Sequence, residues 1–322
     1  MNWYPVEMHC HTIHSDGQFT PAQLAAHARA FGLSGFCLTD HNTRAGVAEI
    51  QREAEAQGLS VLPSTEWTTY FGHMLVQGCT SCMDWEETTR DNLESLLPQI
   101  HEAGGLVGPA HPFRPGNPFG TGCHWEYRIQ DWKHFDFYEV LSGEDPTRRY
   151  YNHRALAHWT SLLDAGCRLT PTSGIDWHRP LKEGLPYATT WMGTEKGLSP
   201  EAMKAALRQG RTAVSIGPLP LLTLKQQGQT LFPGDQVAAG SVTAVVEADM
   251  QRRAAQWSRW QLEPLYWQIT GPGGAVLFRL PFQAEEQETP SFEMPAWCRA
   301  ELYGLIGEEP SLLGFTGPLY RR

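Results

Sequence analysis

The sequence predicts an α/β protein in which a distorted seven-stranded (β/α) barrel, residues 1–217, precedes an all-β, sandwich-like domain, residues 218–322. In the first part, candidate strands alternate with helix-length segments, and about seven such repeats are enough to close a barrel. Beyond residue 218, short alternating segments such as SVTAVVEA at 241–248 replace them. Because no Gly- and Ser-rich linker separates the two parts, we expect them to share a packed interface.

Caps and periodicity define the elements of the first part. Val6–His9 is a candidate strand, and Thr20 as N-cap with Pro21 at the first helical position begins a helix that Gly32 ends. The segments that follow are, in order, a strand at 35–40, a helix ending at Gly58, strands at 61–67 and 73–78, a helix from Glu87 to Ala103, strands at 106–111 and 136–140, a helix from Arg148 to Ala165, and a strand at 167–174. Six further strands are predicted in the second part, at 220–227, 241–248, 265–272, 275–282, 291–296 and 298–306.

Composition excludes several classes of protein. Of the 322 residues, 41% are hydrophobic and 19% are charged, which is typical of a folded chain. A net charge of −10 repels a phosphate backbone, so nucleic acid is not expected as the main partner. The sequence shows neither a basic leader with an apolar segment nor the roughly 18 apolar residues of a membrane span. We therefore expect a cytoplasmic protein that acts on a small molecule and does not bind a membrane.

The seven cysteines do not indicate a disulfide framework. Their number is odd, and we expect reduced thiols. Cys79 and Cys82 form one C-x-x-C, but a structural zinc site needs a second pair of ligands. We interpret these two as ordinary loop or core cysteines.

Candidate metal ligands lie at the ends of the predicted strands. All 13 histidines fall between His9 and His178, so the chemistry is expected in the first part. His9 and His11 form an H-x-H in which the period of a strand directs both imidazoles to one side. In a barrel, the active site is built from the carboxyl ends of the strands and the loops that follow. The candidates in these positions are His9, His11, Asp16, His41, Glu66, His73, His111, Asp176 and His178.

Six imidazoles and three carboxylates exceed what one ion can use, which predicts two or three divalent ions with a bridging carboxylate. Mixed nitrogen and oxygen ligands suit zinc, manganese and iron. Such ions activate water for hydrolysis, so we expect a metal-bridged hydroxide as the nucleophile and no covalent intermediate. Asp176 or His178 is the candidate that passes a proton to the leaving group.

The motifs H-x-H-T, HSDG, TDHN, GH, HP and SGIDWH resemble the PHP domain (polymerase and histidinol phosphatase) over roughly residues 6 to 217. This resemblance implies a distorted seven-stranded β/α barrel with a multinuclear metal centre. The segments GHMLVQGCTSCMDW and LRQGRTAVSIGPLPLLTL and the closing CRAELYG and GPLY are similar to the carbaryl-hydrolase-like branch, which has a carboxyl-terminal β-sandwich.

The resemblance also implies how the ligands divide among the ions. A first ion takes His9, His11, Glu66 and Asp176. A second shares Glu66 and adds His73 and His111, and a third takes Asp16, His41 and His178. Some family members have histidine where this chain has Asp16, and His14 is an alternative ligand for the same ion.

Two classes of substrate stay open. Arg114, three residues after His111, and Arg179, directly after His178, favour a phosphate ester, because guanidinium groups pair with phosphoryl oxygens. Against this, four aromatic residues near ligand segments are consistent with a carboxylester or carbamate hydrolase of an aromatic substrate. They are Trp67, Phe71, Trp125 and Trp177.

A non-catalytic metal-binding scaffold is a third interpretation, but a degenerate scaffold would have lost part of the ligand set. The β domain has no histidine, so we expect it to cover the flank of the barrel or to contribute to a homo-oligomer.

Overall fold

The computed structural model describes residues 1–79, 84–116, 122–182 and 184–322. The helices are α1 (Pro21–Ala30), α2 (Val47–Ala56), α3 (Leu93–Glu102), α4 (Tyr150–Asp164), α5 (Pro200–Gln209) and α6 (Ala254–Trp257). The strands of the first part are β1 (Asn2–Cys10), β2 (Gly35–Leu38), β3 (Ser60–Thr69), β4 (Gly72–Gln77), β5 (Leu106–Pro109), β6 (Phe137–Ser142), β7 (Thr170–Gly174), β8 (Thr189–Thr194) and β9 (Thr212–Ser215). Those of the second part are β10 (Leu219–Gln226), β11 (Gln229–Leu231), β12 (Gln236–Val237), β13 (Ser241–Asp249), β14 (Leu262–Thr270), β15 (Val276–Pro281), β16 (Gln287–Glu288), β17 (Phe292–Glu293), β18 (Trp297–Ile306), β19 (Glu309–Thr316) and β20 (Leu319–Arg321).

The helix caps show how local sequence sets element boundaries. At the start of α1, the Thr20 hydroxyl accepts a hydrogen bond from the Gln23 N–H at 3.2 Å, and the Gln23 side chain accepts one from the Thr20 N–H at 2.9 Å. This capping box confirms the predicted start. The predicted start of α3 at Glu87 is wrong, because the helix begins at Leu93. Before it, the Asn92 side chain bonds the Thr89 N–H and the Glu87 carbonyl, so this polar stretch satisfies its backbone without helix.

The order of the strands places several of their ends at one edge. β1, β2 and β3 are parallel neighbours, so their carboxyl ends coincide. β4 and β5 continue this sheet in antiparallel pairing, and β8 and β9 extend its other side, also antiparallel. The sheet is therefore mixed, with a parallel centre of three strands and antiparallel strands on both sides. A tight hairpin joins β3 to β4 in place of a crossover helix, which makes their pairing antiparallel.

β6 and β7 form a separate parallel pair next to this sheet. The Asp136 N–H, just before β6, donates to the Val107 carbonyl of β5 at 2.9 Å. The Trp177 N–H, after β7, donates to the His9 carbonyl of β1 at 3.0 Å. These contacts bring the end of β7 beside the end of β1. The closed seven-stranded barrel stays a prediction. In the described residues, the strand order of the sheet that contains β1 runs from β12 to β5 and does not return to its first strand.

The second part is β-rich, as predicted, and it is continuous with the first. β19 pairs with β9, so one 13-stranded sheet runs through both parts, and a five-stranded sheet of β10, β11, β13, β16 and β17 lies against it. Apolar side chains from both sheets form one buried cluster, each contributing about 1.5–3 kcal/mol when fully buried. Its larger members are Leu222, Leu224, Val242, Val246, Trp267, Ile269, Leu302 and Leu313. The division at residues 217 and 218 stays a prediction.

Contacts between α4 and β18 also join the two parts. The Trp297 indole donates to the Asp164 carboxylate at 2.9 Å, and the Arg299 guanidinium lies 4.7 Å from the Trp159 ring centre.

Among the described residues, no helix combines the length and the apolar character that crossing a bilayer requires. Cys10, Cys37, Cys123, Cys167 and Cys298 are free thiols, and Cys82 of the C-x-x-C lies outside the described residues.

Candidate metal centre

Glu66, near the end of β3, is the centre of the site. Its side chain is fully buried. Its Oε2 atom lies 3.0 Å from His9 Nε2, 3.3 Å from His11 Nε2 and 3.2 Å from His41 Nδ1. Its Oε1 atom lies 2.9 Å from His73 Nδ1 and 3.2 Å from His111 Nε2. One carboxylate thus contacts five of the six predicted imidazole ligands.

The Asp176 carboxylate contacts two of these imidazoles and also the sixth predicted one, that of His178. Its Oδ1 atom lies 3.3 Å from His9 Nε2, 3.2 Å from His11 Nε2 and 3.3 Å from His178 Nδ1. Its other oxygen accepts from the Arg114 guanidinium. The sequence predicts that Arg114 binds substrate, but in this structure its guanidinium is hydrogen-bonded to the candidate ligand Asp176.

Asp16 completes the group from a more open position. Its Oδ1 atom is 3.1 Å from His178 Nε2 and 3.4 Å from His41 Nε2, and its side chain is 61% exposed. The structure therefore brings all nine candidates together. His14, the alternative, instead pairs with Glu49 at 3.3 Å.

The ligand atoms fall into three overlapping groups, each with all atoms within 4.8 Å of one another. They are His9, His11, Glu66 and Asp176; then His11, Asp16, His41 and His178; and then His41, Glu66 and His73. The first matches the set implied for one ion, and the second contains the set implied for the third. In the remaining group His41 stands where His111 was expected, although His111 also contacts Glu66.

Buried polar atoms without partners show that a cation fits here. Within the described residues, both ring nitrogens of His11, Nε2 of His73 and Oδ1 of Asp176 are buried and lack a hydrogen bond of acceptable geometry. Native structures rarely leave buried polar atoms unpaired unless an ion or water completes them. These atoms are of the types that bind zinc, manganese or iron, so the residues present fit divalent metal.

The charges of the group depend on one another. Burial raises the pKa of Glu66, but the imidazoles of His9, His41 and His73 lower it more, so the pKa lies well below its ordinary value. Burial lowers the pKa of His11, yet the Asp176 and Glu66 carboxylates, 3.2 and 3.3 Å from its Nε2 atom, raise it to about 9. Without cations, the group therefore takes up protons to balance its carboxylates.

Two candidate ligands have a left-handed backbone. His111 has φ 28° and Asp176 has φ 57°, a region that non-glycine residues rarely adopt and that costs of order 1–3 kcal/mol.

The backbone of β7 lies close to the side chain of His9 in β1 at Gly174. A Cβ atom on Gly174 would lie 2.4 Å from the His9 Cβ and 2.3 Å from Glu139 Oε1. Glycine at this position allows β7 to lie against the ligands of β1.

Sequence reasoning missed two buried carboxylates that hold the ligands. Glu139 of β6 places Oε1 3.1 Å from His9 Nδ1 and accepts the His111 N–H through Oε2 at 2.5 Å. Glu7 of β1 accepts the N–H groups of His9 and Ile175 at 2.9 and 2.8 Å, and burial raises its pKa to about 8. The available signal was an acidic residue inside a strand that is otherwise buried.

A cavity of about 790 Å³ lies beside the group and is lined by Asp176 and His178. Five cationic side chains line it, namely Arg114, Arg148, Arg149, Arg179 and Lys182. Of the aromatic residues nominated for a substrate pocket, Trp67 and Trp177 are buried. Trp177 reaches the cavity wall, but its ring packs against Phe19 and Phe31, whereas Trp125 packs against Tyr127. Of the four, Trp177 alone belongs to the described lining of this cavity.

Comparison with known protein families finds a similarity in the first part of the chain. Residues 7–102 match the model of the PHP domain. The matched segment contains six of the nine candidate ligands, from His9 to His73. The remaining three, His111, Asp176 and His178, lie beyond it.

Two curated relatives match short segments. An error-prone DNA polymerase of Cutibacterium acnes is 44% identical over 62 residues, which are 19% of this chain and 6% of the relative. A 5'-3' exoribonuclease of Haemophilus influenzae is 35% identical over 63 residues, 20% of this chain and 23% of the relative. The matches thus span less than a quarter of either relative's length.

One solved structure resembles the whole chain. It is a two-domain protein from Bacteroides vulgatus, described as containing a predicted PHP-like metal-dependent phosphoesterase. The TM-score is 0.57 and the identity is 16%, with 99% of this chain and 95% of the other covered. At this identity, the likeness concerns the fold.

We expect Glu139→Gln to weaken metal binding. The amide cannot supply the negative charge that orients the His9 imidazole, and losing such a partner raises the dissociation constant about 10- to 100-fold. Calorimetric titration of Mn²⁺ into the metal-free protein measures the change. Glu102→Gln, on the exposed end of α3, is the control. An unaltered dissociation constant in a folded Glu139→Gln variant would rule out this orienting role.

We expect metal binding to strengthen as the pH rises from 6 to 8. The His11 pKa of about 9 means that its imidazole is protonated in the metal-free protein, and a protonated imidazole cannot bind a cation. Each displaced proton changes the dissociation constant about tenfold per pH unit. Titration of Mn²⁺ in buffers of different ionisation enthalpy counts the protons released. Binding that releases none and is constant over this range would contradict the protonation described here.

Proposed function

We propose that this protein is a metal-dependent hydrolase of small phosphate esters that works at a di- or trinuclear centre. The observation that carries the proposal is the buried Glu66 carboxylate in contact with five imidazoles beside a cation-lined cavity. The PHP domain and the PHP-like fold support it. Membership of the carbaryl-hydrolase-like branch stays a prediction from the sequence.

The ligand groups suggest how ions would be held. His9, His11, Glu66 and Asp176 would bind one ion. His73 and His111 would bind a second through the other oxygen of Glu66. Asp16, His41 and His178 would bind a third, which is the most exposed to solvent. Zinc, manganese and iron all suit these donors.

Divalent ions bound here would lower the pKa of a coordinated water and polarise the ester that is attacked. In the reaction, a bond forms between the water oxygen and phosphorus, and the ester P–O bond breaks. The leaving oxygen needs a proton, and His178 and Asp176, which both line the cavity, are the candidates to deliver it. No serine or cysteine nucleophile is required.

The charge of the cavity favours phosphate over an uncharged ester. Five cations line the cavity of a chain whose net charge is −10, so positive charge is concentrated where substrate enters. Arg179 is exposed, directly follows His178, and is a candidate for the phosphoryl oxygens. Arg114 would serve the same group while it orients Asp176. Hydrolysis of an aromatic ester or carbamate has weaker support, because only Trp177 of the four predicted aromatic residues belongs to the described lining of the cavity. A non-catalytic scaffold is disfavoured by the complete ligand set.

The decisive experiment compares substrates on metal-loaded protein. We expect 4-nitrophenyl phosphate to be hydrolysed in preference to 4-nitrophenyl acetate and 1-naphthyl methylcarbamate. Arg179→Ala should raise KM for the phosphate about tenfold or more, because a charge-assisted hydrogen bond is lost. Arg52→Ala on the exposed face of α2 is the matched control. Turnover of the uncharged esters alone would reverse the proposed substrate class.

Glu66→Ala should lose more than one ion per chain. A carboxylate shared between ions supports each of them, so its removal affects both. Metal analysis of purified variants measures the stoichiometry, and His14→Ala, which lies outside the three groups, should keep the wild-type value. If Glu66→Ala retains its full metal content, Glu66 does not bridge ions.

A further inference from the structure

Three cations in the cavity are not used by the proposed reaction. Arg114 and Arg179 suffice to pair with the phosphate under attack, whereas Arg148, Arg149 and Lys182 line the same cavity. Arg148 and Arg149 lie between β6 and α4, and Lys182 lies after β7. A single phosphate monoester carries at most two negative charges. It cannot balance all the positive charge that surrounds it.

The loops that carry these cations are held to one another. The Asp145 N–H donates to the Pro186 carbonyl at 2.7 Å, and Glu144 forms an antiparallel bridge with Tyr187. The Lys182 N–H donates to the Glu144 carboxylate at 3.3 Å. Because the two loops are joined by backbone hydrogen bonds, they form one wall of the cavity. The cations therefore share a built surface.

Within the described ranges, two of these three cations have no carboxylate partner, and the third has only a distant one. No acidic oxygen lies within 4.0 Å of the charged atoms of Arg149 or Lys182, and Arg148 reaches Asp145 only at 4.0 Å. The Arg149 Nε donates to the Glu144 carbonyl at 3.1 Å, which fixes the side chain and leaves its terminal N–H groups available. The carboxylates that also line the cavity, Glu144 and Asp176, are fewer than its five cations, so positive charge remains in excess and a bound anion relieves the repulsion.

The size of the cavity limits what this anion belongs to. A volume of about 790 Å³ is typical of a site for a whole small molecule and is far larger than a phosphate group needs. Tyr150, which is 77% exposed, lines the same cavity, and the face of its ring can contact the carbon skeleton of a bound molecule. The net charge of −10 disfavours a long polyanion. A compact substrate with two anionic ends fits these conditions.

We propose that Arg148, Arg149 and Lys182 form a second anion subsite, and that the substrate is a small organic molecule with two phosphate groups. This inference rests on the proposed phosphoesterase function. One phosphate is hydrolysed at the metal centre: a water oxygen bonds to phosphorus, the ester P–O bond breaks, and the alcohol oxygen is protonated. The other phosphate stays on the product and is held by the second anion subsite.

The test compares pentane-1,5-diol bisphosphate with pentyl monophosphate on metal-loaded wild-type protein. We expect kcat/KM to be about tenfold or more higher for the bisphosphate, mainly through KM, because the second phosphate adds charge-assisted hydrogen bonds. Arg149→Gln and Lys182→Gln should each reduce this preference. Lys196→Gln, an exposed residue outside the cavity, should retain it. Diols of two to six carbons report the distance between the two phosphates.

Binding without turnover separates failure of this inference from failure of the proposed function. Pentane-1,5-bisphosphonate and pentylphosphonate cannot be hydrolysed, and calorimetry gives their dissociation constants. Tighter binding of the bisphosphonate that Arg149→Gln and Lys182→Gln abolish supports the second anion subsite even if no phosphate ester is cleaved. Equal affinity for both compounds, or a preference that survives in both variants, would overturn it.

Discussion

The fold of the first part is constrained by one buried carboxylate. Glu66 is fully removed from solvent, and an anion in that position is unfavourable unless positive charge surrounds it. Five imidazoles supply the contacts, from β1, from the segment after β2, from β4 and from the segment after β5. Each of these elements must bring an imidazole nitrogen to about 3 Å from one of the same two oxygens. The register of the sheet therefore determines whether the ligands of the site can meet.

A second layer of carboxylates maintains this arrangement. Glu139 accepts the N–H of His111 and contacts the ring of His9, and Glu7 accepts the N–H next to Asp176. His111 and Asp176 are the two candidate ligands with left-handed backbone, so hydrogen bonds at or beside them offset local strain. The result is a site whose ligands are positioned by buried carboxyl groups on both sides. Divalent cations would replace the protons that the carboxylates of the site otherwise attract.

Some features could be predicted because their signals are local. The capping box of Thr20 and Gln23 begins α1, and the strand-end positions of His9, His41 and Glu66 identified them as candidate ligands. Other features could not. β8, α5 and β9 were not identified individually, and the pairing of β9 with β19 joins residues about a hundred positions apart, which no periodicity reveals. Glu139 was missed because its role depends on two partners from elsewhere in the fold, His9 in β1 and His111 after β5.

The sequence by itself determined which groups are available: nine nitrogen and oxygen ligands near strand ends, arginines after two of them, and a chain with excess negative charge. Only the tertiary structure decided which atoms meet. It brought five imidazoles into contact with the two oxygens of Glu66 and paired Arg114 with Asp176. It also brought Arg148, Arg149 and Lys182 together on one wall of the cavity. The physical reason is that ligand type is a property of single residues. Distance, burial and charge balance arise only when separate strands and loops pack together.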